Sequence, residues 1–220
     1  KENNFKGEGI NLNSKLSLSE QTVKGFFEYT HPNFAYSDRA LSTSLESSVT
    51  DKLTDFGYKS SLNKISLGTR YEQFEDTFFS PRLSISDESL DTTSTASAAY
   101  KKQQGSYFDT TFDYGLTLDK RNSAYQPSSG FYSSWFQQLP IISENQTIVN
   151  GYTITGYKEI VDDMIVSSGI YSRAVNSLSN DDVRVSKRIF APSSRLRGFE
   201  SGKVGPVDGT DHIGGNYVVT

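Results

Sequence analysis

The strongest constraint on the fold of this sequence is an alternation of apolar and polar residues with a period of two residues. In residues 10–18 the intervening positions hold Asn, Lys and Ser, and the apolar positions are Ile10, Leu12, Leu16 and Leu18. Residues 108–118 repeat the pattern with Phe108, Phe112, Tyr114, Leu116 and Leu118. Successive side chains of a β-strand point to opposite faces, so the alternation predicts strands with one apolar and one polar face.

Weaker versions of this pattern extend the prediction to nine strands, near residues 10–18, 22–30, 41–49, 65–71, 77–86, 108–118, 131–139, 147–158 and 164–174. Most of them are about 9–14 residues long, which is long for a globular protein and suits a tilted strand that crosses a membrane. We expect connections at 31–39, 87–106, 119–130 and 175–216, with a short helical turn in the segment ASAAYKK.

Two antiparallel all-β architectures fit this pattern, a soluble β-sandwich and an outer-membrane β-barrel. The mean hydropathy of −0.52 is low, whereas aromatic residues make up 13% of the chain. This combination is typical of outer-membrane barrels, because their lumen face stays polar. Aromatic residues also form girdles at membrane interfaces, and Tyr29, Phe34 and Tyr132 lie near predicted strand ends. An aromatic sandwich core remains the alternative at this point.

The composition excludes several other classes of protein. A formal net charge of −4 and the lack of a basic field argue against a nucleic-acid partner. The sequence contains no cysteine, which excludes disulfides and thiolate metal sites. No apolar run of about 18 residues exists, so a transmembrane helix is not predicted. Because the sequence starts without Met and stops within the strand-like GGNYVVT, we expect it to be a piece of a longer protein.

No group of residues indicates nucleophilic catalysis or a nucleotide. The segment GFESGKV has one residue too few between its glycines for a phosphate-binding loop. Val204 also follows Lys203, where that motif requires Ser or Thr. The two histidines, His31 and His212, are interpreted as a turn residue and an exposed loop residue. We therefore predict no catalytic residue and no cofactor.

Two groups of carboxylates were weighed as calcium sites. Neither follows the spacing of a calcium-binding loop, so both are interpreted as solvated loop carboxylates. These groups are Asp208 with Asp211, and Asp87 with Glu88 and Asp91. We therefore predict no metal site.

A charged, glycine-rich segment near the end of the chain carries the most specific motif. The segment SSRLRGFESGKVGP contains Leu196, Arg197, Gly198 and Phe199, followed by Gly205 and Pro206. A Gly-Gly-Asn begins the next strand-like stretch, at residues 214–216. This order resembles the signature of the outer-membrane barrel-assembly family typified by BamA, in which an Arg-Gly-Phe loop folds into the barrel lumen.

Three further stretches agree with the family in order and spacing. NNFKGEGINLNSKLSLSE resembles its entry into the first barrel strand, and FEYTHPNF its second strand with the following turn. LTLDKRNSAYQPSSGFYSS is similar to a periplasmic hairpin of the family, here with Asp119, Arg121, Pro127 and Gly130. The resemblance covers nearly the whole chain.

The resemblance implies a non-enzymatic factor that folds and inserts β-barrel proteins into the outer membrane of Gram-negative bacteria. The chain would be the N-terminal part, about nine or ten strands, of a larger transmembrane barrel that follows periplasmic POTRA domains. Implied partners are unfolded barrel clients, outer-membrane lipids and assembly-complex lipoproteins. Alternatives within the superfamily are a TamA-type translocation factor and a two-partner-secretion pore. A soluble sandwich or a passive porin is the structural alternative.

The resemblance also implies roles for named residues. Residues 175–216 would fold into the lumen, where a guanidinium at Arg197 holds a carboxylate bidentately. Gly198 lets the backbone approach the wall, Phe199 anchors the tip, and the motif includes Gly205 and Pro206. Partners of Arg197 would lie on strands after residue 220. A weakly paired first strand, about residues 7–19, would form a lateral gate; its residues are Gly7, Gly9, Ile10 and Leu12.

Overall fold

The main feature of the computed structural model is one antiparallel sheet of eleven strands. The structure describes residues 2–54, 56–192, 194–200, 202–209 and 211–220. The strands are β1 (Glu2–Phe5), β2 (Ile10–Leu18), β3 (Thr22–His31), β4 (Ala40–Lys52), β5 (Tyr58–Phe74), β6 (Thr77–Thr92), β7 (Gly105–Asp119), β8 (Ser129–Ser143), β9 (Thr147–Val161), β10 (Met164–Ser177), β11 (Val207–Asp208), β12 (Asp211–His212) and β13 (Tyr217–Val219). One α-helix, α1 (Ala98–Lys102), and two 3-10 turns, Phe34–Tyr36 and Val185–Lys187, complete the described elements.

The sheet grows by neighbours in the chain. Strands β1 to β10 pair in sequence order, and β13 returns to pair with β10, so the described strands form an open sheet with β1 and β13 at its edges. Strands β11 and β12 form a separate small hairpin within the last long loop. The predicted antiparallel all-β fold is confirmed, and the nine predicted strands correspond to β2 to β10.

One predicted loop boundary is wrong. The segment 87–106 was expected to be a loop, but β6 continues to Thr92 and β7 starts at Gly105. Polar residues occupy both faces of the sheet there, so the period-two signal disappears while the backbone pairing continues. The expected helical turn within ASAAYKK is confirmed as α1.

One face of the sheet is apolar and exposed. Direct cross-strand partners share a face, and one such row joins Phe27, Leu45, Ile65 and Ile85. These four side chains remain 41–49% exposed. Large exposed apolar patches mark surfaces that contact a membrane or another protein.

The opposite face is polar and partly covered. A row of small side chains, Ser44, Ser66, Ser84 and Thr111, is buried there. The Ser84 hydroxyl donates to Asp113 Oδ2 at 3.2 Å, and its oxygen lies 3.0 Å from the Ser66 hydroxyl. These hydrogen bonds satisfy polar groups that would otherwise be costly to bury.

The two ends of the sheet differ in their connections. The connections 32–39, 75–76, 120–128 and 162–163 lie at one end, and a chain of aromatic contacts starts beside the turn 75–76. In this chain Tyr114 contacts Trp135 with ring centroids 5.3 Å apart, and Tyr71 contacts Phe79 at 5.8 Å. The opposite end carries the longer loops 93–104 and 178–216.

The clusters of buried apolar residues lie at this loop end. One cluster contains Tyr58, Leu90, Ala96, Tyr100, Val185 and Ile213. The other contains Val149, Val175, Val183 and Ile189. Both clusters join strand ends to the loop 178–216, so the best-packed part of the chain is where this loop meets the sheet.

Candidate functional site

The candidate site is the loop 178–216 and the surface of the sheet to which it binds. Its N-terminal part, residues 183–189, is named the loop base. Val183, Val185 and Ile189 of the loop base are buried in the two apolar clusters. Burial of these side chains fixes the backbone on both sides of Arg184.

Arg184 is the central charged residue of the loop base and is only 2% exposed. Its Nη1 lies 3.2 Å from Glu88 Oε2 on β6, and its Nη2 donates to Asp109 Oδ2 on β7. The guanidinium carbon lies 4.5 Å from the ring centroid of Tyr107, which is within the range of a cation–π interaction. Lys187 adds a second cation, with Nζ 2.9 Å from Asp109 Oδ2. Two cations and two carboxylates therefore meet between loop and sheet.

Gln103, just after α1, holds the backbone of the same segment. The Val185 N–H donates to Gln103 Oε1 at 2.7 Å, and Gln103 Nε2 donates to the Val183 carbonyl at 3.4 Å. These two hydrogen bonds satisfy backbone groups that the loop would otherwise bury unpaired. The loop 93–104 and the loop base therefore stabilise each other.

The later part of the loop also contacts α1 and the base. The carboxylate of Asp208 accepts the Ala99 N–H at 2.7 Å. Ile189 and Gly215 form an antiparallel bridge, in which the Ile189 N–H donates to the Gly215 carbonyl at 2.8 Å. The loop is thus pinned at both ends.

Burial changes the pKa of groups in the loops. Desolvation lowers the pKa of Lys187, and the nearby Arg184 charge adds to this effect against the attraction of Asp109. Desolvation raises the pKa of Asp211, with Lys52 and His212 opposing the effect and Asp208 adding to it.

The predicted Arg-Gly-Phe motif lies at the loop tip, residues 194–200 and 202–205, away from Arg184. Arg197 is exposed, and Phe199 is 60% exposed. Gly198 has φ +86°, a left-handed conformation that favours glycine, and a Cβ there would meet open space. Within the described residues the tip has one ion pair, Lys203 Nζ to Glu200 Oε2 at 3.0 Å.

Gly205 and Pro206 lie where the tip returns to the base. The Pro206 carbonyl accepts the Ile213 N–H at 3.1 Å. Gly205 has φ +136° and faces the backbone of Gly214. The structure thus places these two residues beside the base and leaves Arg197, Gly198 and Phe199 exposed.

Of the predicted gate residues, Ile10 and Leu12 lie in β2 as expected, whereas Gly7 and Gly9 precede that strand. The first strand was expected at about residues 7–19, but β1 lies outside β2, with Phe5 opposite Ile10 and Glu2 opposite Leu12. Gly7 and Gly9, with φ +78° and +71°, form the turn between these strands. The Gly9 N–H donates to Asn4 Oδ1 at 2.6 Å, which favours a hairpin at this point.

The interpretation of two acidic residues as solvated is also wrong. Glu88 lies in β6 and pairs with Arg184, and Asp211 is 5% exposed in the small hairpin beside α1. His212, expected to be exposed, is half-buried with an unpartnered Nδ1. No sequence motif predicts the pairing of Arg184 with Asp109, because 75 residues separate them. No cluster of metal-ligating residues occurs among the described residues.

Comparisons with known proteins address the whole chain. Residues 4–220 match the Omp85 superfamily domain. A crystal structure of BamA from Haemophilus ducreyi lacking POTRA domains 1–3 is similar, with a TM-score of 0.84 and 19% sequence identity. The match covers 99% of this chain and 47% of that one, so the chain spans about half the length of that structure. A search of curated proteins found no match. Among the described residues, no helix has the length and apolar character needed to cross a membrane.

Proposed function

This chain belongs to the Omp85 superfamily, as its sequence predicted, and we propose that it forms part of an outer-membrane barrel that folds and inserts other β-barrel proteins without catalysing a reaction. The observation that carries the proposal is a sheet with an exposed apolar face and, on its polar face, a docked loop bearing an Arg-Gly-Phe tip. In an outer-membrane barrel the apolar face contacts lipid and the polar face lines the lumen.

The dimensions of the strands support a membrane location. Strands β5 to β10 have between 14 and 17 residues. At about 3.3 Å per residue and a tilt of some 40°, such strands exceed an apolar band of about 25 Å. A chain of aromatic contacts begins at Tyr71 and Phe79 beside the turn 75–76 and continues through Tyr114 to Trp135. An interfacial girdle is expected toward this end of the strands.

The first hairpin supports the lateral-gate part of the proposal. The pairing of β1 with β2 has two residue pairs, at Ile10 and Leu12, with a register shift between them. An unpaired strand edge in lipid is costly, because each unsatisfied peptide group costs several kcal/mol. A weakly paired edge therefore favours the addition of a client strand. A disulfide that locks the first to the last strand of the full-length barrel should abolish activity, and normal activity of the locked form argues against a gate.

The exposed tip supports the latch part of the proposal. Arg197 presents five donors in a fixed fork, which suits bidentate binding of a carboxylate on the lumen wall. The exposed Phe199 ring next to it gives an apolar contact. Clients, outer-membrane lipids and assembly lipoproteins are the proposed partners of the full-length protein.

Depletion of the full-length protein in its own cell tests the function. Folded levels of several unrelated outer-membrane barrels are measured by their heat-dependent mobility in gels, with a periplasmic protein as the control. A general fall in folded barrels supports an insertase. If barrels stay normal and a single secreted protein is lost from the medium, the protein is a secretion pore and the insertase proposal is wrong.

A further inference from the structure

We propose that Arg184 is a positioning residue that fixes the loop base to the wall strands β6 and β7, independently of the Arg-Gly-Phe tip. The inference rests on the proposed function only in that the loop lies inside a barrel. It assigns the loop two separate attachments, a buried base and an exposed tip. The chemical basis is an arginine fork shared by two carboxylates on adjacent strands.

The geometry of Arg184 suits this role. Nη1 binds Glu88 and Nη2 binds Asp109, so one side chain connects the loop to two neighbouring strands. The planar guanidinium also lies over the ring of Tyr107, between these partners in sequence. Lysine provides a single point charge and is unable to reproduce this double attachment.

Burial increases the cost of losing the contacts of Arg184. Arg184 and Asp109 are both almost fully buried. Removal of one partner from a buried pair leaves an uncompensated charge, which is strongly destabilising. The flanking Val183 and Val185 place their side chains in two different apolar clusters, so the backbone on either side of Arg184 is held as well.

The tip is structurally separate from this attachment. Arg197, Gly198 and Phe199 are exposed, and among the described residues none of them forms an ion pair with the base. The ordinary contacts of the base therefore do not require the tip to be in any particular position. At the tip, Arg195 instead lies over Tyr171 of β10, with its guanidinium carbon 5.7 Å from the ring centroid.

A cysteine-accessibility experiment tests the inference in the full-length protein in membranes. The chain has no cysteine, so Val185→Cys, with any cysteines elsewhere replaced by serine, gives one buried reporter. The rate of labelling by a membrane-impermeant maleimide measures how often the base opens. Adding Arg184→Ala should raise this rate by about tenfold or more, because the base loses its ion pair with Glu88 and keeps only the Lys187 contact with Asp109. Arg184→Lys should give an intermediate rate.

The controls are Arg195→Ala, an exposed arginine of the same loop, and Arg197→Ala at the tip. Both should leave the labelling rate within about twofold of the reporter background, because among the described residues neither arginine forms an ion pair with Glu88 or Asp109. Folding of each variant is checked by heat-dependent gel mobility. If Arg184→Ala does not fold, the labelling rate of Arg184→Lys is compared with that of the two controls to test the inference.

An unchanged rate in the Arg184 variants, or an equal rise in Arg197→Ala, overturns the inference. A double substitution distinguishes a specific Arg184–Asp109 pair from the general cost of changing any buried residue. Asp109→Asn and Arg184→Met together should label less than the product of their single effects predicts, because the two groups form a pair. Additive effects would contradict the pairing. Labelling does not depend on client proteins. A negative result would therefore contradict the role of Arg184 without contradicting the insertase function, which the depletion experiment tests separately.

Discussion

The rings of Tyr58 and Tyr100 stack with centroids 4.0 Å apart and an angle of 10° between their planes. Tyr58 is the first residue of β5, and Tyr100 lies in α1 of the next long loop. Val185 and Ile213 of the loop 178–216 belong to the same buried cluster. The loops 93–104 and 178–216 therefore pack together around this stacked pair at one end of the sheet.

Tyr100→Ala should destabilise this end of the protein by about 3–5 kcal/mol, the usual cost of removing a large buried aromatic side chain. The matched control is Tyr36→Ala, since Tyr36 is 96% exposed; we expect its effect to stay within about 0.5 kcal/mol. Urea unfolding of the full-length protein in detergent measures both. Equal effects of the two substitutions would contradict the assignment of Tyr100 to a packed core.

Asp211→Asn should stabilise the loop at neutral pH by on the order of 1 kcal/mol, because it removes a buried, incompletely paired carboxylate. Burial raises the pKa of Asp211 above the ordinary value of 3.8. The ionised group is thus penalised in the folded state, and the penalty is relieved as the pH falls through the folded-state pKa. The gain from Asn should therefore vanish below about pH 3.8, the unfolded value.

The control for this prediction is Asp208→Asn in the same small hairpin. The Asp208 carboxylate accepts the Ala99 N–H, so its replacement should be neutral or destabilising at neutral pH. Thermal unfolding of both variants across a pH series separates the two outcomes. A stabilisation by Asp211→Asn that persists unchanged at low pH would rule out ionisation as its cause.

Gly130→Ala should reduce the yield of folded protein. Gly130, the second residue of β8, has φ +91°, and a Cβ there would clash with the carbonyl oxygen of Lys120, which follows β7. Backbone strain alone costs about 1–3 kcal/mol, and the clash adds to it. Gly156→Ala in β9 is the matched control, because a Cβ there meets nothing within 4 Å. Folded yield is compared by heat-dependent gel mobility; equal yields would mean that the turn rearranges.

Arg197→Ala should lower client insertion several-fold, because it removes the proposed contact between the tip and a carboxylate on the lumen wall. Lys203→Ala at the same tip is the control and should leave insertion unchanged. Rates of client folding into liposomes that contain the purified full-length protein measure the effect. Normal insertion by the Arg197 variant would remove the latch from the proposed mechanism.

Strand segments with one polar and one apolar face were predictable from the sequence. Leu45 and Ile65 are each flanked by polar residues, so the central segments of β4 and β5 follow from local sequence. The signal fails where both faces are polar, as around Glu88, although the backbone remains paired. It also fails for β1, because four residues are too few for a period to appear.

The site was less predictable for a different reason. The Arg-Gly-Phe motif is contiguous in sequence and was found there. Arg184, by contrast, lies 96 residues from Glu88 and 75 residues from Asp109, so its role depends on tertiary contacts without a local signal. Its neighbours Val183 and Val185 give only a short alternation that resembles any strand.

The neighbour-by-neighbour order of the sheet has a consequence for how the molecule is made. Each strand from β1 to β10 adds to the strand that precedes it in the chain, so a sheet made from its N-terminus grows without waiting for distant segments. The carboxylates of Glu88 and Asp109 are brought together by the pairing of β6 with β7, which needs no residue of the loop. Attachment of the loop through Arg184 therefore requires that β6 and β7 are already paired, and it reports the completion of these two strands.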